Sequence, residues 1–264
     1  MEEMMITLNE EGIKSLKNLV LFCPGTFPSV PVKFFKDEDG ISYVSIEAID
    51  INGDVVFSGR SKINDIELEE NTGMIILLPL NKTLTNIILN SDFTTLEVSK
   101  SKIVASSPNK RITLSLFSVS EDDIMEFPYT GLELYQLAKD DNGIEDSNYV
   151  LFEPDLDEFK ELINTISSFV NITSITFKSR NGKLFVKSKD MLGNKIEYTF
   201  DNVPVDGQLN CTYSIELIKH LNKVMKLKDN EKVEMLISDL IIALTVKDEE
   251  ENSIITIAIT AIRE

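Results

Sequence analysis

Apolar and polar positions along this chain follow two periods, and the periods come in a repeated order. Over residues 9–21, Ile13, Leu16, Leu19 and Val20 recur at three- and four-residue spacing, with Lys14, Lys17 and Asn18 opposite, which predicts an amphipathic helix. Alternation then predicts strands over residues 43–61. A short helix is predicted over residues 81–90, burying Leu84, Ile87 and Ile88 and showing Lys82, Asn86 and Asn90, followed by strands over residues 95–119. The second half repeats the order: helix 154–170, strands 174–200, helix 213–228, strands 232–263. Helix, strands, helix, strands, twice over, implies duplication of one α+β unit. The expected division is 1–119, a connector 120–147, and 148–264.

Turn chemistry supports antiparallel sheets. Asn181-Gly182 reads as a hairpin turn between two strands, and Leu192-Gly193-Asn194 as a second. Val233 to Ile237, Ile241 to Lys247 and Ile254 to Ile259 read as a meander, with the acidic 248–252 run as a solvated turn. Four-stranded sheets with one covering helix are the expected unit. The helix predicted from Tyr213 has an apolar stripe of Ile215, Ile218, Leu221, Val224 and Met225, with Lys219, Asn222, Lys223 and Lys226 on its other side. The helix predicted from Pro154 turns Leu156, Phe159, Leu162, Ile163 and Ile166 inward, and Lys160, Asn164 and Ser168 outward beside Asp157 and Glu161. Residues 24–31 read as an irregular proline-rich loop; the connector has room for one short helix over 132–138.

Charge changes the picture. The net charge is −18, and residues 1–132 hold 11 basic against 20 acidic side chains, residues 133–264 15 against 24, so each half carries −9. Such a surface repels nucleic acid on average and leaves local patches open. Cys23 and Cys211 have no CxxC or Cys/His companion, so neither a disulfide framework nor a zinc site is expected, and a reducing, intracellular setting fits. No run of 18 apolar residues occurs and the start of the chain is acidic, so a soluble protein with no membrane partner is expected.

Candidate chemistry is sparse. His220 is the single histidine and has no nucleophile at a triad-like spacing, so it reads as a surface helix residue. Asp155 reads as a helix cap, and Asp50-Ile51-Asn52-Gly53-Asp54 as a hairpin turn that lacks the distal glutamate of a calcium loop. There is no GxxxxGK[ST] or GxGxxG. No catalytic residue, metal or cofactor is expected, and a non-enzymatic role follows.

With its repeat, its helix Tyr213-Ser214-Ile215-Glu216-Leu217-Ile218-Lys219-His220-Leu221-Asn222-Lys223 and its strand Val233-Glu234-Met235-Leu236-Ile237-Ser238, the chain resembles the two-domain DNA sliding clamps. These are represented by the proliferating cell nuclear antigen and the clamps of T4-like phages. The divergent loop 23–36 and connector imply a viral or phage member. The resemblance covers nearly the whole chain. It implies a homotrimeric ring, antiparallel sheets outside and helices lining a central hole, that encircles double-stranded DNA non-specifically and tethers DNA polymerase, with a clamp loader as a further partner. A cytoplasmic or nucleoid-associated location follows, in the host cell if the protein is viral.

Residue by residue, the resemblance implies that Lys14, Lys17, Lys82, Lys160, Lys219, Lys223 and Lys226 face the DNA. It implies ring closure by strand addition between residues 111–118 and 195–200, with Ile112, Leu114, Leu116, Phe117, Ile196 and Tyr198 at the contact. It implies a partner-peptide pocket at Val44, Ile124, Phe127, Pro128, Tyr129, Ile259, Ala261 and Ile262. Phe127 and Tyr129 could equally pin the connector to the body, and lysines on an outer helix face are by themselves only a solvated face. The alternative class is an acidic tandem-domain module that binds proteins or mimics DNA and encircles nothing. Reversal of Lys219, Lys223 and Lys226 to glutamate separates the two: a clamp would stimulate polymerase poorly after it.

Overall fold

The computed structural model describes residues 5–64, 66, 73–80, 93–117, 119–120, 124–144, 148–168, 172–190, 193–201, 203–204, 208–221, 231–248, 250 and 252–262. The chain forms two units, Met1–Ala48 with Phe57–Phe127, and Ile49–Val56 with Pro128–Glu264. In chain order come β1 (Met5–Leu8), α1 (Glu10–Phe22), β2 (Ser29–Lys36), β3 (Ser42–Ile49), β4 (Val55–Lys62), β5 (Met74–Pro79), β6 (Thr95–Ser99), β7 (Lys102–Ser107) and β8 (Lys110–Ser115). There follow α2 (Gly131–Asp141), β9 (Tyr149–Phe152), α3 (Leu156–Ser168), β10 (Ile172–Arg180), β11 (Lys183–Asp190), β12 (Lys195–Phe200), β13 (Asn210–Ser214), α4 (Ile215–Ile218), β14 (Glu231–Ser238), β15 (Ile241–Asp248) and β16 (Ser253–Thr260).

The repeat is written into the strand orders. The first unit holds β1-β6-β7-β8 and β5-β2-β3-β4; the second holds β9-β14-β15-β16 and β13-β10-β11-β12. Counted from the first strand of each unit, the two sets of orders are the same, as duplication requires. The helix predicted over 81–90, with Lys82, and the second half of the helix predicted over 213–228 lie outside the described residues.

Local chemistry explains most boundaries. Asn9 caps α1 by accepting from the Gly12 N–H at 3.0 Å, Glu10 and Glu11 favour the positive helix end, and Pro24 follows the last turn. Asp155 caps α3, its Oδ1 accepting from the N–H groups of Asp157 and Glu158. The Asn181-Gly182 turn has φ of 52° and 70°, the paired positive angles of a tight hairpin. At the 50–54 turn Asp50 Oδ1 accepts from the N–H groups of Asp54 and Val55, so this carboxylate serves the turn.

Two expectations are corrected. Residues 29–36, expected as part of a loop, form β2, because Val30, Val32 and Phe34 alternate into the core at 0% exposure. Pro31 is tolerated since the β3 ladder begins only at Val32, so no hydrogen bond there needs its missing N–H. Tyr213, expected at a helix start, is the buried penultimate residue of β13 and donates its hydroxyl to the Ser238 carbonyl at 2.6 Å. The helix expected over 132–138 is present as the longer α2 of the second unit, and the compact units meet along the chain at Phe127 and Pro128. Tyr213→Phe is expected to leave that carbonyl unsatisfied and to cost roughly 1–3 kcal/mol in denaturant unfolding. An unchanged midpoint would mean that the bond contributes nothing.

Candidate DNA-facing and partner-binding surfaces

Helix faces come first, because their residues carry the expected DNA contacts. On α1, Lys14 is exposed and Lys17 and Asn18 are half-buried on the side away from Ile13, Leu16, Leu19 and Val20, as the periodicity requires. On α3 the exposed row is Asp157, Glu161, Asn164 and Ser168, while Lys160 is half-buried on its flank. The outermost charge of α3 is therefore acidic, against the expectation for Lys160. Lys219 is exposed just beyond α4 and pairs with Glu216 at 2.5 Å. Lys223 and Lys226 lie outside the described residues.

Two sheets end on open strands. No described residue pairs with the outer edge of β8 in β1-β6-β7-β8, nor with that of β12 in β12-β11-β10-β13. Half-buried Ile112 and Leu114 lie on β8, with exposed Arg111, Thr113 and Ser115 between and after them. Phe117 departs from that edge: it bridges to Leu77, and the residue is 74% exposed. Leu116 is half-buried and donates its N–H to the Ser101 carbonyl. On β12, Ile196 turns into its own core and is no contact residue, whereas Tyr198 is half-buried. Burial with Glu158 and Glu161 nearby pushes the Tyr198 phenol up to about 12.

Within the first unit the connector is tied to the outward face of the β2-β3-β4 region. Lys33 pairs with Glu126 at 2.5 Å, the Phe127 N–H donates to the buried Glu47 carboxylate at 3.2 Å, and Ser58 Oγ donates to the Phe127 carbonyl at 3.4 Å. Polar bonds hold Phe127, so pinning is a role it demonstrably has. Ile124 is half-buried, and Val44 is wholly buried in β3, which removes it from any pocket.

Within the second unit a different cluster forms. The hairpin 49–56 is joined to the end of β16 by two bonds, Thr260 N–H to the Asp54 carbonyl and Thr260 Oγ1 to Asp54 Oδ1. Thr256 Oγ1 donates to the Tyr129 carbonyl at 2.7 Å, which sets half-buried Pro128 and Tyr129 along the same strand. Ile51 is 100% exposed, Ile49 38% and Ile262 44%. A pocket of about 240 Å³ lies nearby, lined by Asn210, Cys211, Thr212, Asp239, Ala261 and Ile262. Ile259 is buried and does not line it. Burial pushes the Cys211 thiol up to about 12, so the pocket offers no thiolate at neutral pH. Among the described residues no group of His, Cys, Asp and Glu is arranged to hold a metal ion, and no helix is long and apolar enough to cross a membrane.

Sequence reasoning missed Ile49, Ile51, Asn210, Cys211, Thr212 and Asp239. A solvent-exposed Ile51 in a hairpin turn was a signal that could have been read.

The solved structures decide the fold. The chain superposes on PCNA of A. fulgidus, in a structure described as the C-terminal region of FEN-1 bound to A. fulgidus PCNA, at a TM-score of 0.67 with 98% of each chain covered and 11% identity. It has the fold of the PCNA-type DNA sliding clamps. PCNA of Entamoeba histolytica matches similarly, at a TM-score of 0.65 and 12% identity over 98% of each chain. No family model and no curated protein matches the sequence. The expected α+β clamp fold, built mostly of antiparallel sheet, therefore holds.

Proposed function

We propose that the chain is a sliding clamp, a processivity factor of which three copies close head to tail around duplex DNA. The observation that supports this best is the pair of open edges, β8 and β12, on a clamp fold. Each edge presents unsatisfied N–H and C=O groups, and antiparallel strand addition between copies would pair them. Because the two edges differ, the contact is heterologous and closes into a ring at the right rotation. Lys14, Lys17, Lys82, Lys219, Lys223 and Lys226 would then supply weak, mobile phosphate contacts, sufficient because threading and not affinity retains the duplex.

The apolar cluster of the second unit, with Ile49, Ile51, Ile262 and the 240 Å³ pocket, suits a short hydrophobic peptide from a polymerase or another replication protein. The A. fulgidus structure, which carries a C-terminal region of FEN-1, is consistent with such docking. A clamp loader and an intracellular location belong to the same reading. The acidic row Asp157 and Glu161 on α3 favours the alternative, a DNA-mimic or protein-binding module.

Light scattering over a dilution series, with and without duplex DNA, tests the ring. A species near three times 29.8 kDa is expected. A monomer at every concentration, even with DNA present, overturns it in favour of the acidic module.

A further inference from the structure

The outward face of β10, β11, β12 and β13 reverses the charge of the protein. Register places Lys178, Arg180, Lys183, Lys187, Lys189 and Lys195 on this one face, all exposed, since Arg180 pairs with Lys183, Lys189 with Lys195, and Phe185 with Lys178. Among the described residues two carboxylates share it: Asp201 with Lys183 at 2.7 Å, and Glu197 with Lys187 at 3.2 Å. Lys178, Arg180, Lys189 and Lys195 have no carboxylate partner among the described residues. In a chain of net charge −18 this concentration runs against the average.

Two of the cross-strand pairs repel. Lys189 stands opposite Lys195, and Arg180 opposite Lys183. Like charges placed directly opposite destabilise a sheet; Asp201 offsets this at Lys183, while no carboxylate among the described residues pairs with Lys189 or Lys195. A groove of about 390 Å³ lies at the first pair, lined by Lys187, Lys189, Lys195, the hydroxyl-bearing Ser174 and Thr176, and Glu197, which pairs with Lys187. Half-buried Phe185 sits in the middle of the face, opposite Lys178 on one side and Thr199 on the other.

The duplicated sheet of the first unit shows what such a face does when it has a resident occupant. There the corresponding strands carry Lys33, Glu47 and Ser58, which hold the connector at Glu126 and Phe127. The face in the second unit has no such segment bonded to it among the described residues, and its cations call for a polyanion.

We propose that this face binds single-stranded nucleic acid, with phosphates on the lysines and a base stacked on Phe185. The aromatic ring in the middle of a flat cationic sheet selects the single strand. A single strand can offer an unstacked base to the ring, whereas a duplex keeps its bases stacked and presents only phosphates to a flat surface. The inference concerns one unit by itself and stands whether or not the chain forms a ring.

Fluorescence anisotropy of a labelled oligothymidylate with the full-length chain at low salt tests it. Lys189→Glu with Lys195→Glu is expected to weaken binding at least about tenfold and to reduce the slope of log affinity against log salt by about 1.4 for two lost phosphate contacts. Phe185→Ala is expected to weaken binding roughly five- to hundredfold. A duplex of the same length is expected to compete poorly. The glutamate variant still sets like charges opposite each other, so Lys189→Gln with Lys195→Gln is the folding control: it removes the repulsion, its melting temperature should match or exceed that of the parent, and its binding should still weaken, which separates lost binding from lost folding. Absence of oligonucleotide binding by the parent chain, or binding indifferent to these variants, overturns the proposal. Equal competition by duplex together with an inert Phe185→Ala overturns the assignment to single strands.

Discussion

Ile112→Glu combined with Leu114→Glu is expected to convert a trimer into a 29.8 kDa monomer. Both side chains are half-buried on the open strand β8, where β7 is the one strand among the described residues that pairs with it. Strand addition by a neighbouring copy would cover them. A carboxylate placed there loses water on assembly and gains no partner, a cost of about 3–5 kcal/mol for a buried unpaired charge. Two such changes would raise the dissociation concentration by several orders of magnitude. In the monomer the carboxylates can still turn to solvent, so far-ultraviolet circular dichroism should be preserved. Light scattering reads the outcome, and a double variant that keeps the parent mass would remove β8 from the ring contact.

Gly131→Ala is expected to destabilise the second unit and loosen α2. A Cβ built at Gly131 lies 2.9 Å from the Ala243 Cβ and 3.3 Å from Thr245 Oγ1. The Ala243 Cβ is fixed to the β15 backbone, so helix and sheet must separate, at roughly 1–3 kcal/mol for overpacking. Separation also strains a chain of buried hydrogen bonds. The Gly131 N–H donates to Thr245 Oγ1 at 3.0 Å, Thr245 and Thr256 share a hydroxyl contact at 2.9 Å, and Thr256 Oγ1 donates to the Tyr129 carbonyl. Loss of one link adds about 1–3 kcal/mol because its buried partner is left unsatisfied. The measurement is a denaturant unfolding curve with hydrogen exchange across residues 131–141. Unchanged exchange protection would mean that α2 does not depend on this close approach.

Local codes in the sequence were accurate where the structure is made locally. Asn9 and Asp155 accept hydrogen bonds from amides two or three residues on, and Asn181-Gly182 adopts the angles its turn needs. The helices with clean apolar stripes, α1 and α3, stand where the periodicity placed them. Tyr213 misled because its apolar neighbours fit a helix, while its hydroxyl is claimed by Ser238, a partner 25 residues away that no window contains. The prolines of 24–31 suggested a loop because the position of Pro31 ahead of the β3 ladder is visible only once strands are paired.

The candidate sites divide in the same way. The lysines of α1 were legible from spacing, whereas the two edges were expected from the family resemblance alone. The acidic outer row of α3 could be counted from sequence, but which side of the helix it occupied relative to Lys160 required burial. Ile49, Ile51 and Ile262 belong to segments some 200 residues apart, joined by the bonds between Asp54 and Thr260. The basic face escaped notice for a related reason: lysines at alternate positions on separate strands look like ordinary solvated residues until register sets them side by side.

By itself the sequence determined the duplicated α+β plan, the helices with continuous stripes, the caps and the tight turns, because each rests on interactions within a few residues. Only the tertiary structure decided which strands are edges, which apolar residues stay exposed and where charge accumulates. Those properties depend on strand order, register and burial, and they arise from pairs of residues the chain brings together from far apart.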